Sequence, residues 1–192
     1  MKYLLAALFG LLTTFGATAQ GLAPDALVKS VTNDVLEIVR KDKDIQAGNT
    51  RKAVELAEAK VLPHFDFAHM TRLAVGKAWR QASPAQQKAL TDEFRTLLVR
   101  TYSKALTEYR NQAIDFKPVK MQPADTDVVV RTLVQQPGNK PVEIDYSLDK
   151  TDQGWKVYDI SVAAVSLVTN YRSSFTQEIS AGGIDGLIGT LH

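Results

Sequence analysis

Pro141-Val142-Glu143-Ile144-Asp145-Tyr146-Ser147-Leu148-Asp149-Lys150 decides the fold. Val142, Ile144, Tyr146 and Leu148 point one way, and Glu143, Asp145, Ser147 and Asp149 the other. That is the period of a strand with one packed and one wet face. The turn sequence Thr151-Asp152-Gln153-Gly154 follows, and a second strand pattern fills Gly154–Val162, so the pair reads as an antiparallel hairpin. Upstream, 127–136 and 113–119 read as two further strands, with Pro137-Gly138-Asn139 as the turn into 141–150.

Before Asn111 the period is about 3.6 instead of 2. Ser83-Pro84-Ala85-Gln86 is a helix start with a capping serine, proline in the first turn and glutamine closing the box. Leu90, Phe94, Leu97, Leu98, Tyr102, Ala105, Leu106 and Tyr109 then recur every three to four residues, which predicts one long amphipathic helix. Three shorter helices precede it. Pro24 opens the first, whose face is Leu27, Val31, Val35, Ile38 and Val39, ending in the charged run 40–44 and a break at Gly48. Asn49 or Thr50 caps the second, which Pro63 stops; Asp66 caps the third, with Gly76 after its end. A last helix carries Val168, Tyr171, Phe175 and Ile179 to Gly182-Gly183, followed by a short turn bearing Ile184, Leu187, Ile188 and Leu191. Helices first and a meander of about four strands later give an α+β fold.

The start of the chain stands apart. Lys2, the apolar run 3–12 and Ala17-Thr18-Ala19 form a signal peptide cut before Gln20. The run is about half of the ~20 residues that a membrane-spanning helix needs. The expected organisation is a leader at 1–19 and one exported domain at 20–192, in the bacterial periplasm. Of 192 residues, 23 are Lys or Arg and 21 Asp or Glu; removing Lys2 leaves a net charge of +1. Such a balance gives no bulk reason to seek nucleic acid. The absence of cysteine excludes disulfides, thiolate catalysis, cysteine-bound zinc and a lipoprotein anchor.

A catalytic set is not visible. His64 and His69 are five residues apart, without the HExxH spacing, and read as exposed or capping groups rather than metal ligands. Ser166 has no GxSxG elbow around it. Asp159, within the apolar run Trp155-Lys156-Val157-Tyr158-Asp159-Ile160, reads as an acid that bonds a neighbouring loop or pairs with a cation; the other reading is a general base. Aromatic residues punctuate the second half, and periodicity does not separate a packed core from a lined cavity.

Two stretches resemble a known family. Phe65-Asp66-Phe67, 73–80, and Phe94-Arg95-Thr96-Leu97-Leu98 with Thr101-Tyr102 resemble MlaC proteins, also described as toluene-tolerance auxiliaries of ABC transporters. So do 154–160, Val165-Ser166-Leu167-Val168 with 170–175, and Gly183-Ile184-Asp185-Gly186-Leu187. One departure is Ala164, where the family commonly has glycine before the Val-Ser-Leu step. The resemblance implies an NTF2-like curved antiparallel sheet covered by N-terminal helices and a C-terminal helix. It implies a periplasmic phospholipid carrier, without catalysis or cofactor, that acts as a monomer. Its partners would be the substrate-binding component of an inner-membrane ABC transporter and an outer-membrane lipoprotein–porin complex, and its role the maintenance of outer-membrane lipid asymmetry. An NTF2-like enzyme with Asp159 or Asp145 as base is the alternative.

For a carrier, the lipid-binding residues expected on strands are Val130, Ile144, Tyr146 and Leu148. On the long helix they are Leu97, Leu98 and Tyr102, and on the last helix Val168, Tyr171 and Phe175. Arg172, about 100° round from that last stripe, is expected at the rim beside the lipid head group.

Overall fold

The structure is a computed structural model that describes residues 21–109, 111–136, 138 and 140–192. The expected leader at 1–19, and Pro137 and Asn139 of the expected turn, lie outside the described residues. One antiparallel sheet holds five strands in chain order: β1 (Ala113–Phe116), β2 (Asp127–Gln135), β3 (Val142–Thr151), β4 (Gly154–Val162) and β5 (Val165–Ser166). The fifth strand is two residues long, too short to leave a period in the sequence. β1 stops at Phe116, two residues before Pro118, whose missing N–H cannot serve a ladder.

Cross-strand register sorts the inner face. Val128 opposes Leu148, Val130 opposes Tyr146, and Thr132 opposes Ile144. On the other side of β3, Leu148 pairs with Val157, but Tyr146 with Ile160 and Ile144 with Val162. The register shifts between Ser147 and Leu148, leaving Tyr158 as the extra residue of a bulge. Without it, Val157 and Ile160 would lie on opposite faces, because their spacing is odd. The bulge puts both inside.

The described residues form seven α-helices beside the sheet: α1 (Pro24–Lys41), α2 (Lys43–Gln46), α3 (Thr50–Lys60), α4 (Phe67–Val75), α5 (Pro84–Tyr102), α6 (Lys104–Glu108) and α7 (Leu167–Leu191). Their starts follow local chemistry. Asn49 accepts from the Lys52 N–H, Asp66 from the His69 N–H at 2.8 Å, and Ser83 with Gln86 closes a full capping box. The charged run after α1 holds a helix of its own: Asp42 caps α2, and Lys52 bridges Asp42 and Asp44. The expected long helix is divided at Ser103, which keeps helical angles (φ −62°, ψ −25°) so that the apolar stripe passes into α6. α7 contains the expected break, at Gly183.

Three apolar clusters result. Val28 of α1 packs with Val128, Val130, Leu148 and Val157 on the inner face of the sheet. Met70, Leu90, Phe94, Phe175 and Leu187 join α4, α5 and α7. Val35, Val39, Ile45, Leu56 and Tyr109 join α1, α2 and α3 to the end of α6.

Candidate functional site

Between these clusters lies a cleft. Its larger lobe, about 370 Å³, is lined by Leu27, Val31 and Leu36 of α1 and by Ile144, Tyr146 and Ile160 of the sheet. A second lobe of about 170 Å³ is lined by Ala57, Met70, Leu98 and Val99 from the helices. Val61, Phe65, Tyr102, Leu106, Ile160 and Leu167 line both lobes, so the two adjoin. Phe65 is fixed there by a bridge to Val157, where the Asp66 N–H donates to the Val157 carbonyl at 2.9 Å.

Among the described residues no Asp, Glu, Lys or Arg lines either lobe. The titratable groups in the walls are held neutral near pH 7. Burial pushes the Tyr146 hydroxyl up, and it pushes Tyr102 up to about 12 with help from the Tyr171 hydroxyl beside it. Burial lowers His64 below the ordinary histidine value, and nearby Lys156 adds to the effect. A wall of this kind suits hydrocarbon, because no described charge in it demands a counter-charge; among the described residues its one buried hydroxyl without a partner is Ser103 Oγ, in the smaller lobe.

The residues expected to bind lipid fall into three places. Tyr102, Ile144 and Tyr146 line the larger lobe, and Leu98 and Tyr102 the smaller. Val130 and Leu148 are fully buried on the inner face among Val28, Val128 and Val157. Leu97, Val168, Tyr171 and Phe175 belong to the helical cluster, where the Phe94 ring meets Tyr171 at 5.2 Å and Phe175 at 5.1 Å, both edge-on. Arg172 lies beside Gly76 at the end of α4, in a separate hollow. Sequence reasoning did not single out the α1 contribution. Its apolar stripe was readable, but a stripe does not say whether protein or a void faces it.

The family model of the MlaC protein matches residues 29–192. The chain belongs to the MlaC family. A solved phospholipid-binding protein of this fold from Ralstonia solanacearum, in complex with a phospholipid, is 41 % identical with a TM-score of 0.82; the match covers 88 % of this chain and 95 % of that one. A toluene tolerance protein of Pseudomonas putida, ttg2D, is 25 % identical over 184 residues, 94 % of this chain and 82 % of its own length. The intermembrane phospholipid transport system binding protein MlaC of Haemophilus influenzae is 22 % identical over 183 residues, covering 92 % of this chain and 86 % of that protein. Among the described residues no helix is long and apolar enough to cross a membrane.

In this MlaC chain the two acids weighed as bases have structural partners. Asp159 accepts from the Ile160 N–H at 2.9 Å, the Ser166 hydroxyl at 2.5 Å and the Val168 N–H at 3.2 Å. It clasps β4 to the first turn of α7, the loop-bonding role. Asp145 pairs with the Arg131 Nε at 3.5 Å across the outer face of the sheet. His69 is more engaged than its spacing suggested. Its Nδ1 lies 2.9 Å from Asp149 Oδ2, and its ring stacks on Tyr158 at 4.4 Å. Tyr158 is the bulge residue, and its hydroxyl donates to Asp127 at 2.7 Å. Asp66, His69 and Asp149 are the one trio among the described residues whose ligand atoms come within 4.8 Å. Asp66 already caps α4 and His69 already bonds Asp149, so the trio ties α4 to β3.

Proposed function

We propose that the mature chain, residues 20–192, is a periplasmic phospholipid carrier whose acyl chains occupy the cleft under α1. The observation that carries this reading is the uncharged two-lobed cleft, of about 370 and 170 Å³. The phospholipid held by the Ralstonia relative supports it. Exposing two chains of about 15 methylenes each to water would cost about 24 kcal/mol at ~0.8 per methylene. A carrier need not supply that energy; it must present walls as apolar as the bilayer that the lipid leaves. Transfer is then nearly isoenergetic, and an ATPase elsewhere sets its direction. The partners are an inner-membrane ABC transporter complex and an outer-membrane lipoprotein–porin complex, the protein travelling between them as a monomer.

Purification after secretion, organic extraction and mass spectrometry of the extract test this reading. Phospholipid approaching one molecule per chain is expected. Folded protein that neither carries lipid nor takes it from vesicles would overturn it.

A further inference from the structure

A second hollow, of about 640 Å³, shares no lining residue with the apolar cleft. It lies where the end of α4 and the 3-10 turn Gly76–Arg80 meet α7. Arg72, Lys77, Arg80 and Arg172 line it, and among the described residues no carboxylate does. Among the described residues none of these four side chains has an ion-pair or hydrogen-bond partner. Other arginines do: Arg40 bonds Tyr109, Arg51 bonds Glu55, Arg95 bonds Glu58 and Arg131 pairs with Asp145. Of the four described arginines left without a partner, only Arg100 lies outside the hollow. A chain whose whole net charge is +2 thus concentrates four positive charges at one concave place.

The concentration is built into the backbone. Gly76 has φ +66°, and a Cβ there would come within 3.3 Å of Arg172 Nη2 and 3.4 Å of its Nε. The guanidinium therefore lies against bare main chain, where a Cβ would crowd it. Leu73 and Trp79 give the hollow apolar sides, which strengthen any charge–charge contact made inside.

We infer that this hollow binds the phosphate group of an anionic ligand. Guanidinium forks match phosphate oxygens two at a time, and the Lys77 ammonium adds a point charge. Two sources carry that chemistry: a soluble phosphate, or the head group of a phospholipid in a membrane surface. A concave place fits a compact anion better than it fits the broad acidic face of a protein.

The test uses the purified mature protein at constant ionic strength. Inorganic phosphate is titrated against chloride while the two indole N–H resonances are followed by NMR. Trp79 lines the hollow and should shift saturably; Trp155, buried in the sheet cluster, should stay still. The Arg80→Gln/Arg172→Gln variant should bind phosphate at least tenfold more weakly, and Arg100→Gln/Lys60→Gln, with the same charge loss elsewhere, within twofold of the wild type. In the second arm the proteins are sedimented with phosphatidylglycerol vesicles. Loss of binding in the first variant alone, without saturable inorganic phosphate binding, assigns the site to a lipid head group. Saturable phosphate binding with unchanged sedimentation assigns it to a soluble phosphate. Either supports the inference. Failure of both arms, or equal losses in the two variants, overturns it. Lipid extracted from the apolar cleft, measured on the same samples, should not change in the first variant, so this test stands apart from that of the carrier.

Discussion

Ala164 has φ +65° and follows Ala163 at φ +49° in the turn between β4 and β5. It occupies the place where the family resemblance expects glycine, and the backbone gives the reason. Holding an L-residue in the left-handed region costs about 1–2 kcal/mol, which glycine avoids. Ala164→Gly should raise stability by about 1 kcal/mol, seen as an upward shift of the melting temperature; a lower one would show that the turn is not strained. Asp159, five residues earlier, predicts the opposite sign. Asp159→Ala strips the acceptor from the Val168 N–H and from Ser166, so a loss of about 1–3 kcal/mol is expected. Because the role is a clasp, extracted lipid per folded molecule should hold steady. His64 gives a pH dependence. The unfolded chain takes up its proton near 6.5, whereas burial first and Lys156 second lower the folded value. Between those two values the unfolded state holds more protons, so stability falls as pH falls. Denaturant unfolding of wild type and His64→Gln from about pH 7.5 to about pH 5 should show the wild type losing more. Parallel losses would place His64 outside the apolar wall.

At the scale of elements, what could be read from the sequence was what is settled within four residues of itself. Ser83 with Gln86, Asn49 and Asp66 begin helices because each side chain bonds an N–H three positions on. The hairpin of β3 and β4 followed from alternation and a short turn. The bulge at Tyr158 escaped, since its contacts are remote in sequence: the Tyr158 ring stacks on His69, on a helix about 90 residues earlier. The break in α7 was legible because Gly182-Gly183 interrupts the stripe. Gly183 adopts φ +68° and ψ −167°, a region that is essentially glycine's own, and the bend returns Leu187 and Leu191 to the core. No atom lies within 4 Å of a Cβ built there, so substitution adds strain without a clash. Gly183→Ala should cost about 1–3 kcal/mol. Hydrogen exchange should locate the damage in 184–192, leaving the sheet protected. Equal loosening throughout would mean that the last turns belong to the global unfolding unit.

At the scale of the whole molecule the candidate site was the least legible part, for a physical reason. Leu27 and Val31 on α1 carry the same pattern as Leu90 and Phe94 on α5, yet the first pair lines a lobe of about 370 Å³ and Leu90 and Phe94 are wholly buried in close packing. Periodicity records that a face avoids water; what it meets is set by how far the helix stands from the sheet. That distance arises from all the contacts together, including those of Val28 below and Val35 and Val39 beyond. Filling the gap while keeping Val28, Val35 and Val39 in place therefore tests the function. Val31→Trp places a large ring into the larger lobe and gives its walls atoms to pack against. A ligand that binds only the folded state stabilises it by about 4 kcal/mol when present at a thousand times its dissociation constant. Wild type should then melt well below its loaded form once delipidated. The variant should carry little lipid, melt above delipidated wild type, and gain almost nothing from lipid. Undiminished lipid in Val31→Trp, with α1 still docked on the sheet, would move the acyl chains to some other part of the molecule.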